Sequence, residues 1–164
     1  MEQELWRLAE MNPYSSNVGV RGNLTLVLYG ADGEVKDVRH ARNLAVDTGL
    51  EHIADMMASS HTDSEMGYMA LGSDGTGALA GNTALGTQLG SRNALTARTH
   101  SGAVVTYTAT FSAGQATGAV VEAGIFEDAA GGTMLCRTTF TVINKGAADS
   151  LAVTWTLTFT DDGV

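Results

Sequence analysis

The hydrophobic pattern is plainest near the C-terminal end, where Leu151, Val153, Trp155, Leu157 and Phe159 alternate with Ala152, Thr154, Thr156, Thr158 and Thr160. A period of two puts the large apolar set on one pleat face and predicts a half-buried antiparallel strand. The same alternation runs through residues 105–111 and, less strictly, 24–29. Asp32-Gly33, set between an alternating run over 18–29 and a second over 34–39, predicts a hairpin. Residues 66–72 read as one further strand, and others are expected near 92–99, 103–112, 118–127, 133–143 and 150–161.

One helix stands out. Thr48 with Glu51 three residues later forms a capping-box pattern, and Leu50, Ile53, Ala54 and Met57 recur at i, i+3, i+4 and i+7. This predicts a helix over about 47–58 with that stripe against a sheet. Residues 73–81 read as a long exposed loop, and 82–90 as a helical turn or a loop that buries Leu85 and Leu89. The fold class expected is mainly β: an antiparallel β-sandwich, jelly-roll-like, of about seven or eight strands with one short α-helix.

Residues 1–16 follow another rule. Leu5, Trp6, Leu8, Ala9 and Met11 sit among Glu and Arg without alternation, and the run from Asn12 through Pro13 and Tyr14 to Ser16 breaks any helix. So short a segment needs something to dock on. The division expected is an N-terminal arm over 1–16 and a single β-sandwich domain over 17–164. The arm would cover the chain's own sheet or lie on a neighbouring subunit through Leu5, Trp6, Leu8, Met11 and Tyr14. An exposed Trp6 favours the second.

Composition narrows the partners. A chain of 164 residues buries about 70% of its unfolded surface on folding, enough for an independent core. Apolar residues make up 44% of it and charged ones only 16%, less than the roughly 25% usual for soluble domains. Such a surface suits contact with other protein. The net charge is −9 and lysine occurs only as Lys36 and Lys145, so nucleic acid is not an expected partner. No apolar run is long enough for a membrane span, and the acidic start, with Glu2 and Glu4, does not resemble a signal peptide. Folding in the cytoplasm of the producing cell is expected.

Candidate chemistry is sparse. Cys136 is alone and lies in an apolar strand-like run, so it reads as a small buried hydrophobe. His40, His52, His61 and His100 form no H-x-x-x-H pair, and Asp74-Gly75-Thr76-Gly77 lacks both the oxygen-ligand alternation of a calcium loop and the lysine of a phosphate loop. No G-x-S-x-G elbow is present. Glu122 stands out, because residues 120–126 place an acid inside an apolar strand. A buried acid needs a partner. The structural reading pairs it with a strand arginine, Arg137 or Arg92 in front of Arg98; a general base would need a second acid or a histidine beside it. No catalytic residue, cofactor or metal is expected, and the aromatics Trp6, Tyr14, Tyr29 and Trp155 do not cluster as a glycan platform would.

Several blocks carry a resemblance. Residues 43–50, 68–77, 82–86, 107–111, 122–126 and 132–140 resemble a family of small virion structural proteins of tailed bacteriophages, and together they span most of residues 43–161. The E-x-G-I-F element at Glu122 to Phe126 is also similar to one in the N-terminal part of tail-collar fibres. The resemblance implies a non-enzymatic, self-associating β-protein of the virion. Because the sequence stops at Val164, straight after its best strand and without shaft repeats, the expectation is a capsid decoration (cement) protein on the outer surface of the assembled head. A tail or tail-fibre adaptor and a glycan-binding virion module are the alternatives. Implied partners are the major capsid protein or other virion proteins and further copies of this chain, as a dimer or trimer, with residues 1–16 as the arm and Asp74, Thr76 and Leu79 of the exposed loop as edge contacts.

Overall fold

The computed structural model describes residues 17–58 and 62–161. In chain order these form β1 (Val18–Tyr29), β2 (Val35–Ala45), α1 (Asp47–Met56), β3 (Tyr68–Gly72), β4 (Asn93–Ala94), β5 (Ala97–Ser101), β6 (Val104–Phe111), β7 (Gly118–Phe126), β8 (Met134–Lys145) and β9 (Ser150–Asp161). All pairings are antiparallel, and the strands join in the order β4-β3-β7-β8-β2-β1-β9-β6-β5. The protein is therefore mainly β with one short helix.

The sheet curls until its two ends meet. On one side β2 pairs along β1 but reaches β8 only through Leu44↔Arg137 and Ala45↔Cys136, so it serves as a corner between two layers. On the other side β4 pairs with β3 while β5 pairs with β6. The run expected near 92–99 as one strand is thus two, for a total of nine strands among the described residues. Leu95 donates to Gly67 O (2.9 Å) and Thr96 to Thr108 O (2.7 Å), so the chain changes layer between β4 and β5.

The alternation over 151–157 translates directly into burial. Leu151, Val153, Trp155 and Leu157 are buried and enter the main core with Leu24, Leu26 and Leu28 of β1, Tyr107 and Phe111 of β6, and Val120, Ala123 and Ile125 of β7. Trp155 is completely buried and its indole donates to Asn43 Oδ1 at 3.0 Å. Cys136 is likewise buried, and burial pushes its thiol pKa up. The β1–β2 hairpin turns at Gly33, whose φ of 82° suits glycine; Gly30 donates to Glu34 O and Gly33 to Gly30 O.

The helix is where it was expected, but its cap and its buried stripe are not. Val46, not a hydroxyl residue, is the N-cap, and no side chain caps the first turn. The Thr48 hydroxyl donates to Met134 O instead (3.2 Å), Val46 N donates to Leu135 O (3.3 Å) and Asp47 N to Ala80 O (2.8 Å). The helix start is held by β8 and the loop rather than by a capping box. The inward face is Gly49, His52, Ile53 and Met56, whereas Leu50, Ala54 and Met57 face solvent. The cause lies at Gly49: a Cβ there would collide with the Leu135 carbonyl, so the helix rests on β8 at a distance only glycine permits and is rotated accordingly.

Candidate functional site

The most elaborate local structure surrounds Glu122. In β7 every residue from Glu122 to Phe126 is buried, which a strand covered on one face cannot show. A register shift lies between Val120 and Glu122, and across it Val120 and Ala123, three apart, both reach the core. Glu122, Gly124 and Phe126 then occupy the outer face. That face is covered by the segment over 73–90 and by the approach to α1: Phe126 packs in a second apolar cluster with Val46, Ala70 and Met134, joined by Tyr68 and Leu85.

Arg137 is the partner of Glu122. Glu122 lies opposite Thr139, and Arg137 is opposite Gly124, two residues along β8 and on the same face, the diagonal position that a long side chain spans. Arg137 donates from Nε (2.9 Å) and Nη2 (2.7 Å) to Glu122 Oε2. The carboxylate also accepts three backbone amides of the covering loop: Asp74 (3.2 Å) and Thr87 (2.9 Å) on Oε1, and Gly86 (3.0 Å) on Oε2. Arg137 Nη1 turns outward to Asn82 Oδ1 (3.0 Å) and Gly77 O (3.4 Å). Both charged groups are buried, and their hydrogen-bonding capacity is directed at one loop. The geometry suits positioning of the loop, since the carboxylate has five donors around it, two from Arg137 and three from loop amides.

Arg92 is not part of this group, which corrects one of the two pairings expected. It lies just before β4, beside the Phe126 end of β7, and Phe126 is four residues from Glu122, about 13 Å along a strand. Its guanidinium donates to Asp128 O (2.7 Å) and Gly131 O (2.6 Å) and stacks 3.6 Å from the centre of the Phe126 ring. Arg98, on β5, donates to Met66 O (2.6 Å) and pairs with Glu65.

The loop is a built structure with an exposed rim. Ser73 donates to Thr87 O (2.8 Å) and Leu89 to Leu71 O (2.9 Å), so its returning half runs beside the end of β3, and Leu85 and Leu89 are partly buried without a helical turn. Gly72 and Gly86 are needed for close approach, because a Cβ at either would strike a carboxylate, that of Glu122 or of Asp74. Asp74 is half-buried; its carboxylate accepts Thr76 N at 2.8 Å, which holds its pKa below the ordinary value. Thr76 and Leu79 are exposed, Leu79 at 65%. They line a shallow cleft of about 310 Å³ with Asn82, Leu85 and Arg137. Of the three loop residues named from the sequence, two point outward and one braces the turn. The roles of Asn82, Gly86 and Thr87 were not read from the sequence; the recurring glycines from Gly72 to Gly86 were the available signal.

A second concavity, of about 380 Å³, opens between α1 and the layer carrying β5, β6 and β9. His52, Ile53 and Met56 of the helix face Tyr107, Leu157 and Phe159 across it. His52 is buried and its Nδ1 lies 3.1 Å from Asp63 Oδ2; burial pushes the Tyr107 phenol up to about 12, so it stays neutral. Among the described residues no group of three or more His, Cys, Asp and Glu comes together to hold a metal ion, and no helix is long and apolar enough to cross a membrane. The expected arm contacts Leu5, Trp6, Leu8, Met11 and Tyr14 lie outside the described residues. No family model matches this chain, and no curated protein or solved structure does so either.

Proposed function

We propose that this chain is a structural protein of a tailed-phage virion, a capsid decoration (cement) protein that binds the outer surface of the assembled head and has no catalytic role. The supporting observation is spatial. The blocks that carry the resemblance, 68–77, 82–86, 122–126 and 132–140, are scattered along the sequence but meet around Glu122 and Arg137, where they shape one loop on one face. A loop whose backbone is fixed by a buried ion pair and whose Thr76 and Leu79 point outward is suited to repeated, shape-dependent contact with protein. Such a contact can be individually weak, because many symmetry-related copies make it at once. Partners on this reading are the major capsid protein and further copies of the chain.

The alternative is an adaptor on the tail, which the likeness of the Glu122 to Phe126 element to tail-collar fibres favours. The copy number of this polypeptide in purified virions separates the two. Copies in the hundreds, rising and falling with the major capsid protein, are expected for decoration. A number matching the small closed rings of a tail would assign it there, and absence from virions would overturn both.

A further inference from the structure

The concavity beside α1 has the composition of a binding groove. Its walls are mostly apolar, with Ile53, Met56, Tyr107, Leu157 and Phe159, while His52, Glu65 and Arg98 supply the polar part of the lining; at its edge Met57 stands 85% exposed, a large apolar side chain that the described residues leave in water. A solvated apolar groove of this kind marks a docking site.

The chain itself holds a matching segment, and its path begins beside the groove. β1 pairs with the last strand through Val18↔Asp161, Gly19↔Thr160 and Val20↔Phe159, so residue 17 stands three strand positions beyond the level of Phe159, about 10 Å. Upstream come Leu5, Trp6, Leu8 and Met11, joined to the strand by residues 12–17. Fully extended, such a six-residue connection reaches about 20 Å, enough to turn back from Asn17 to the groove.

We infer that the groove between α1 and β5–β6–β9 is the seat of this molecule's own segment over 5–11, with Trp6 as the anchor. A large aromatic at the centre of an apolar groove is the usual anchor for such contacts. The short connection favours the molecule's own segment over that of another copy, because it holds the segment at an effective concentration on the order of millimolar. This inference is independent of the virion reading and concerns the isolated polypeptide.

Trp6 supplies the probe. Trp155 is fully buried, so acrylamide quenching of the full chain, corrected with Trp6→Phe, reports on Trp6 alone. The result expected is quenching several-fold weaker than that of N-acetyl-tryptophanamide and unchanged on dilution. Met57→Asp at the exposed edge and Leu8→Asp within the segment should each raise it to the free value, with the β-sheet circular dichroism unaltered. Leu8 belongs to none of the strands or the helix described above, so that variant stays informative even if a change on the helix impairs folding. Quenching like that of the free indole overturns the inference, as does protection that fades on dilution, which would place the segment on a second copy. Protection that survives both substitutions overturns the groove as its seat.

Discussion

β9 and β7 carry similar numbers of apolar residues but are covered differently. β9 is covered on one face: Leu151, Val153, Trp155 and Leu157 are buried while Thr154 is open to solvent. β7 is covered on both from Glu122 to Phe126, by the core beneath and the loop above. The first strand needs only a hydrophobic face. The second must also satisfy polar groups in its upper cover, since loop backbone cannot be buried with its amides unpaired. Glu122 supplies the acceptor, and Arg137 offsets the charge that Glu122 brings. An acid inside an apolar strand is therefore the mark of the second cover.

The largest expected effect comes from removing that acid. Glu122→Ala strands a buried guanidinium and three loop amides and should cost roughly 3–5 kcal/mol in denaturant unfolding. An unchanged midpoint would mean that the pair contributes nothing. Replacing both charges, as Glu122→Leu with Arg137→Met, removes the stranded charge, yet Asp74, Gly86 and Thr87 still lack their acceptor. The double variant should recover only part of the loss, whereas a buried pair without loop amides would recover nearly all of it.

Gly49→Ala comes next, at the other cover of the same layer. Helix propensity alone predicts a gain of about 1 kcal/mol. The collision with the Leu135 carbonyl predicts instead a loss of about 1–3 kcal/mol, the range for overpacking. The sign of the change in melting temperature decides between them.

A smaller effect is expected at the start of β9, where the polar support is electrostatic. Lys36 Nζ donates to both Asp149 oxygens (2.8 and 3.0 Å) and Gly146 N to one (2.9 Å), while Lys145 Nζ donates to the Asp149 carbonyl (2.6 Å). The Lys36 hydrogen bond holds the Asp149 carboxyl below its ordinary range. The folded pKa is thus lower than the unfolded one, so this contribution is complete above about pH 4 and is lost as pH falls through the depressed value. Stability measured from pH 6 downward should fall more gently in Asp149→Asn than in the parent; parallel curves would contradict the assignment. The smallest effect belongs to the open face of β9, where Thr154→Ser should stay within about 0.5 kcal/mol.

How much of this was legible in the sequence follows the same division. The alternation in 105–111 and 151–159 and the Asp32-Gly33 turn are local signals, and the strands and hairpin they predict are present. Glu122 was conspicuous because an unpaired buried acid is costly, and that argument reaches Arg137 through chemistry alone. It could not separate Arg137 from Arg92, since that choice depends on register: one lies diagonally opposite Glu122, the other four residues away along β7. The helix misled for a related reason. Leu50 and Met57 outrank Gly49 in hydrophobicity, but contact with the Leu135 carbonyl demands an absent side chain, which no hydrophobic pattern can encode. The break of the 92–99 run into β4 and β5 is set by the closing of the sheet, a long-range event without a local marker.

The central claim is that a buried carboxylate fixes the loop over β7, and amide hydrogen exchange of the loop tests it most directly. The amides of Gly86 and Thr87, which donate to Glu122, should exchange as slowly as those within β7, while Gly75 and Gly77 in the same loop exchange rapidly. Glu122→Gln should bring all four toward one fast rate. Equal, rapid exchange of Gly86, Thr87, Gly75 and Gly77 in the parent protein would contradict the account.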